Sequence, residues 1–200
     1  MYKEYLPCHI LAPYVDRYWE FKGQTEQGMQ IKLSTDGCTD FMFILETTVN
    51  HGIMMQPYHS YFIGPMNICS TLITSSGTIN TFGVRFRPCG LSRFIKISLS
   101  EFTNIRLSVS DLDTIFSDSF AERLFEEQGI QGKINLIERY LKEHLYKSDH
   151  TMDAQIAYAV NQINAHEGKI SISHLMNEVN LCQRHFERKF KLHTGFTPQK

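Results

Sequence analysis

Apolar and polar positions alternate with a period of two through the first ninety residues, and with a helical period after that. In Arg17 to Lys22, Trp19 and Phe21 alternate with charged neighbours, which predicts a strand. Gln30 to Leu33 predicts a second. Thr35-Asp36-Gly37 is a turn signal. The unbroken apolar run Phe41 to Leu45 follows, the pattern of a strand buried on both faces. Asn50-His51-Gly52 opens a loop that Pro57 continues. Tyr61 to Ile63 reads as a short strand ended by Gly64-Pro65. Ile68 to Thr74 and Ile79 to Arg87 read as a hairpin around Ser75-Ser76-Gly77, with Pro88 as its stop. Tyr2 to Tyr14 reads as a leader docked by its aromatics and prolines.

Leu91, Phe94 and Ile95, then Leu99 and Phe102, mark short amphipathic turns. Ser110 is placed to cap a helix over Asp111 to Phe116, and Phe120, Leu124 and Phe125 form the stripe of the next. Ile134, Ile137, Leu141 and Leu145 predict a longer helix ending near His144 to Lys147. The polar run Lys147 to Thr151 links it to a helix carrying Ile156, Val160 and Ile163, with Gly168 as C-cap. A tight unit closes the chain. Ser171 is a natural N-cap for a helix with Leu175 and Val179 on one face. Asn180 tolerates the left-handed backbone of a sharp turn, and Leu181 can plug the corner. A second helix then buries Phe186 and Phe190 and exposes Gln183, Arg184, Glu187, Arg188 and Lys191. This is the helix-turn-helix pattern, whose second helix enters the DNA major groove. The competing reading is a helical hairpin that packs on something and reads no DNA.

Strands before helices argue for α+β and against a parallel α/β sheet. The expected architecture is a small N-terminal β-barrel or sandwich-like domain with following helices over residues 1–147. An all-α helix-turn-helix segment follows over 148–200.

Charge sharpens this picture. Lys plus Arg number 20 and Asp plus Glu 21, so no global field draws the chain to nucleic acid. From Leu181 onward, however, Arg184, Arg188, Lys189, Lys191 and Lys200 face only Glu187. A basic patch on a neutral chain fits a modular DNA binder. The N-terminus lacks an apolar signal core, and no run approaches a membrane span. Five scattered cysteines fit neither a disulfide framework nor a metal knuckle. They imply reduced thiols and a cytoplasmic setting.

Candidate chemistry is sparse. Nine histidines show no metal-binding i, i+4 pair, so neither a metal nor another cofactor is expected. No nucleophile elbow, phosphate loop or dinucleotide fingerprint occurs, which disfavours an enzyme. Asp36 and Asp40 flank Cys38, but the structural reading is the stronger one. Asp36 then shapes the turn, and Asp40 pairs with Arg85 or Arg87. Arg85 and Arg87 share a strand face and could grip an anionic effector, with Trp19 and Tyr61 among the aromatics able to line its pocket. Salt-bridged arginines and core aromatics are the commoner outcome. On the second helix, Gln183, Arg184 and Glu187 are placed as base readers. Arg188, Lys189, Lys191 and His193 are placed for phosphates or solvent. Ser171 and Ser173 could donate to a phosphate from the first helix N-terminus.

Leu175, Val179, Leu181, Arg184, His185, Phe186, Arg188 and Phe190, then Gly195, Thr197 and Pro198, resemble the first helix-turn-helix of the AraC/XylS transcription regulators. The chain departs from that pattern at Met176 for a small residue, Asn180 for glycine and Cys182 for a serine cap. Leu11 to Val15, Tyr18-Trp19, Asp36 to Asp40, Gly64-Pro65-Met66 and Gly83 to Pro88 resemble the regulatory domain that precedes such units. The resemblance implies a bacterial, sequence-specific transcription regulator whose partners are double-stranded DNA, a small-molecule effector and a second copy of itself, with no membrane. It also implies a second helix-turn-helix beyond Lys200, so the chain reads as a fragment of a longer regulator. The alternative is a small-molecule-binding β-barrel protein or enzyme whose helical tail mediates association.

Overall fold

A computed structural model describes residues 1–198 except 27, 29, 34, 47, 51, 52, 74–76, 113 and 114. Ten strands precede five α-helices: β1 Tyr2–Tyr5, β2 Val15–Thr25, β3 Gln30–Leu33, β4 Thr39–Ile44, β5 Thr48–Asn50, β6 Ile53–Met55, β7 His59–Ile63, β8 Ser70–Ile73, β9 Gly77–Phe86 and β10 Arg106–Ser108. The helices are α1 Asp118–Glu126, α2 Gly129–Lys147, α3 Ala154–Ala165, α4 Ile172–Glu178 and α5 Gln183–Thr194. The class is α+β.

Among the described residues all strand pairings are antiparallel. One sheet runs β1-β2-β9-β4-β7-β10 and the other β3-β8-β5-β6. Neither closes on itself, so the sandwich-like expectation holds and the closed barrel does not. Strand β4 explains the six-stranded sheet best. Its side chains alternate, and both sets are buried. Phe41 and Phe43 join Tyr18, Phe82, Val84 and Phe86 in the main core, where Phe116 and Phe120 pack against them. Met42 and Ile44 point the other way, with Trp19 and Ile63, and Met55 of β6 packs on that face. Helices α1 and α2 cover the first face through Leu124, Ile134, Ile137 and Leu141. Lys133 of α2 is buried and donates to the carbonyls of Leu124 (2.6 Å) and Glu127 (2.8 Å), closing the C-terminal end of α1.

Several expected elements differ. The docked leader contains β1, paired with β2 from Tyr2↔Phe21 to Tyr5↔Tyr18. The hairpin of β8 with β9 does not form. β8 pairs with β3 and β5, and β9 with β2 and β4, so consecutive strands enter different sheets. Ser75 and Ser76 of its expected turn lie outside the described residues, as do His51 and Gly52 of the expected loop, on either side of which β5 and β6 pair. Ser110 caps no α-helix. It sits in a 3-10 turn, Val109–Asp111, and Asp113 and Thr114 of the helix expected there lie outside the described residues, while the next expected helix forms as α1, with Ser117 accepting from the Phe120 N–H at 3.3 Å.

The three C-terminal helices share a cluster of Ile156, Ala159, Val160, Leu175, Val179, Phe186 and Phe190, which Cys89 also joins. Burial pushes the Cys89 thiol up to about 12, so it behaves there as a small apolar side chain. Helix α5 rests on the 3-10 turn Leu99–Glu101. Its C-cap Gly195 has φ 86°, and its carbonyl accepts from Thr103 Oγ1 at 2.8 Å. A Cβ at Gly195 would come within 2.7 Å of Pro65.

Candidate functional site

Two places concentrate chemistry. The first is a slot of about 80 Å³ on the face of the six-stranded sheet that carries Trp19. The strand register sets it up. Trp19, Gly83 and Met42 are opposite one another on β2, β9 and β4, and Arg85 is opposite Asp40. The indole lies across Gly83 so closely that a Cβ there would sit 2.1 Å from a ring carbon. Trp19 Nε1 donates to Asp40 Oδ1 at 2.7 Å, and Arg85 Nε lies 3.2 Å from each Asp40 oxygen. Arg85 also pairs with Asp36 at 3.1 Å. Asp36 in turn accepts from the Cys38 N–H at 3.0 Å, the turn-shaping role expected of it.

Electrostatics in the slot follow from burial. Desolvation pushes the Asp40 carboxyl above its ordinary range, against the pull of Arg85 and the indole N–H. The half-buried Cys38 thiol is raised by desolvation and by the two carboxylates. The far end is apolar, with Ile79 and Met42 in the wall. Thr81 also lines it, 1% exposed, and its hydroxyl has no hydrogen-bond partner among the described residues.

Of the four expected effector residues, Trp19 and Arg85 meet in this slot. Arg87 and Tyr61 do not line it. Arg87 lies just past β9, paired with Asp16 at 3.3 Å and donating to the Ala12 carbonyl at 2.9 Å. The Tyr61 hydroxyl accepts from the Gln56 N–H at 3.0 Å. The two-arginine grip is therefore absent, and Arg85 is engaged by carboxylates. Tyr2, Thr81 and Gly83 were missed, because only the pairing of distant strands assembles them.

The second place is the outer face of α5. The turn before it is a Schellman closure. The Leu181 N–H reaches the Met176 carbonyl at 3.0 Å, the Asn180 N–H reaches Asn177 at 3.2 Å, and Asn180 has φ 53°. Leu181 packs on the cluster as expected. Gln183, Arg184, Arg188 and Lys191 are exposed, as are Ser171 and Ser173, whose hydroxyls lie 2.7 Å apart. Glu187 is half-buried and accepts from Gln183 at 2.8 Å. Lys189 and His193 face inward, contrary to expectation. Lys189 Nζ bonds Asp153 and Gln155, both at 2.8 Å, and His193 lies 3.9 Å from Asp153. Asp153 is also the N-cap of α3, accepting from Gln155 and Ile156 at 3.1 Å. Gln155 donates on to the Val179 carbonyl at 2.6 Å. One polar strap thus joins the start of α3 to the end of α4 and to the second half of α5.

Between the two places lies a cleft of about 360 Å³. Asp36, Met66 and Pro88 form one side, and Val160, Phe190 and Thr194 the other. Asp36 and Met66 line the slot as well. Among the described residues no three His, Cys, Asp or Glu come together to hold a metal ion. Nor is any helix long and apolar enough to cross a membrane.

A family described as a domain of unknown function (DUF6597) matches residues 3–108, over half of the 200 residues. The chain belongs to the DUF6597 family. The matched DUF6597 region runs from within β1 to the end of β10, so it contains every residue that lines the slot except Tyr2, and none of α1 to α5. No curated protein matches the chain. Among solved structures it is similar to an apo variant of ToxT from Vibrio cholerae, with 7% identity, a TM-score of 0.47, and 88% of this chain and 75% of that one covered. The AraC-like transcriptional activator CuxR is similar at 10% identity and a TM-score of 0.37, over 95% and 80%. ToxT with a bound unsaturated fatty acid is similar at 10% identity and a TM-score of 0.31, over 90% and 93%.

Proposed function

We propose that this DUF6597 protein is a transcription regulator of AraC type, in which α4 and α5 read DNA and the slot of the N-terminal domain senses a small molecule. The observation that carries the reading is the outer face of α5. Gln183, Arg184, Arg188 and Lys191 stand in solvent on a helix whose opposite side, Phe186 and Phe190, is fixed in a core. A basic helix held at one angle by a strapped three-helix unit suits insertion into a major groove. Arg184 and Gln183, in the first turn, are the base readers, and Arg188 and Lys191 contact phosphates. Glu187 positions Gln183 through their hydrogen bond. The chain acts as a binding and switching protein and not as an enzyme, and a cytoplasmic setting follows from that role.

The test is selection of random-sequence duplexes by the full chain at about 50 mM salt, where a unit with few phosphate contacts retains measurable affinity. The expected result is an enriched motif that changes with Arg184→Ala while the circular dichroism spectrum does not. No enriched motif, or enrichment indifferent to Arg184→Ala and Gln183→Ala, would refute DNA reading by α5.

A further inference from the structure

The chemical class of the slot's ligand follows from its charge count. Two carboxylates, Asp36 and Asp40, surround one guanidinium, Arg85. With all three ionised the cluster carries one net negative charge. The guanidinium is already engaged by both carboxylates, so it offers no free fork to an incoming anion. A ligand carboxylate would have to enter beside Asp40, 13% exposed, where Arg85, the cation among the residues that line the slot, already pairs with two carboxylates. The walls point the same way. The Tyr2 and Trp19 rings lie 6.2 Å apart and tilted 35°, and both border the slot. Aromatic faces beside a carboxylate are the setting that attracts an ammonium group. The unpartnered Thr81 hydroxyl, four residues along β9 from Arg85, leaves one polar point in the apolar end. The volume, about 80 Å³, is well below the ≈ 300–1,000 Å³ of drug-sized sites.

We infer that the slot binds a small organic cation, an amine with a short apolar body, its ammonium set against Asp40 and the Trp19 and Tyr2 rings. This rests on the sensing role proposed above and gives that role a ligand class. It reverses the expectation of an anionic effector.

Trp19 is the chain's single tryptophan, so intrinsic emission reports on the slot directly. The experiment titrates the full chain at pH 7 with n-butylammonium, butyrate and n-butanol, reading Trp19 emission. The expected result is a saturable change with butylammonium at a concentration at least about tenfold below any change with butyrate. One opposite charge at ~4–6 Å shifts a proton equilibrium by that much or more. Asp40→Asn should abolish the preference. Asp36→Asn, which leaves the Trp19–Asp40–Arg85 contacts in place, should weaken it and serves if Asp40→Asn does not fold. Saturation by butyrate in preference to butylammonium overturns the cation and keeps a sensing slot. Equal response to all three probes, or none to any, overturns the cation as well. DNA retention measured with and without butylammonium separates the two readings. Binding with no effect on retention keeps the cation and removes the sensing role.

Discussion

Two glycines provide an internal control for the docking of the helix-turn-helix unit on the N-terminal domain. Gly168 and Gly195 both follow helices with left-handed backbone, φ 75° and φ 86°. A Cβ at Gly168 would meet nothing within 4 Å, whereas one at Gly195 would meet Pro65 Cγ at 2.7 Å and Thr103 Oγ1 at 3.1 Å. Alanine at either position incurs the left-handed penalty of about 1–2 kcal/mol. At Gly195 it adds an overpacking cost of typically ~1–3 kcal/mol, because Pro65 must move. Gly168→Ala should therefore cost about 1 kcal/mol and Gly195→Ala about 3 kcal/mol. For a chain of this size these correspond to falls in Tm of roughly 2–4 °C and 6–12 °C. Calorimetry of the two variants gives the comparison. Adding Pro65→Ala to Gly195→Ala should restore about 1 kcal/mol or more of it, a coupling that a double-mutant cycle isolates. Equal losses for the two alanines, with no coupling to Pro65, would refute the docked arrangement.

Other perturbations separate the cations of α5 by role. Arg188→Ala should weaken DNA binding uniformly across sequences and lower the salt slope by about 1. Lys189→Ala should leave that slope unchanged and instead lower the urea midpoint, since Lys189 is bonded to Asp153 and Gln155. Glu167 occupies a left-handed position, φ 51°, in the closure of α3, so Glu167→Gly should raise stability by about 1 kcal/mol, read from the urea midpoint. Acid should loosen α3 from α5. Desolvation, assisted by Lys189 and opposed by Asp153, holds His193 below 6.5, so its contribution is present above about pH 6.5 and is lost as pH falls through the folded value. Burial would raise Asp153, but the Lys189 ammonium and the Ile156 N–H hold it below the usual range, so a second loss follows below about pH 4. Hydrogen-exchange protection of α3 and α5, corrected for the intrinsic rate, that is unchanged from pH 7 to pH 5 would contradict the first step.

What could be read in advance had a local cause. The strand at Phe41, the caps Ser171 and Asn180, and the stripe of Phe186 and Phe190 each follow from residues within one or two turns of each other. The failures involve partners far apart in sequence. Nothing near Ser75 tells β8 to join β3 and β5 while β9 joins β2 and β4. The spacing of Leu112 and Phe116 resembles a helix, yet Phe116 is held by Phe41, Phe43 and Tyr140 in the core. The slot divides along the same line. Asp40 pairing with Arg85 was within reach of the sequence, because carboxylate and guanidinium both lie in strand patterns. The indole over Gly83 was not, since it exists only through the β2–β9 register. Lys189 looked like its neighbours Arg188 and Lys191 until α3 placed Asp153 beneath it.

The presence of Cys89 among Ile156, Val160, Phe186 and Phe190 bears on how these modules can be exchanged. A transplant of residues 148–198 onto another N-terminal domain would carry seven of the eight buried members of that cluster and leave one behind. The recipient must then supply a small apolar side chain in the same place, and a carbonyl-seeking hydroxyl where Thr103 stands. Successful chimeras should thus be limited less by the polar linker than by the shape of the recipient's surface under α5. Compatible recipients would be those whose chain follows the turns at Cys89 and Thr103, whatever their slots recognise.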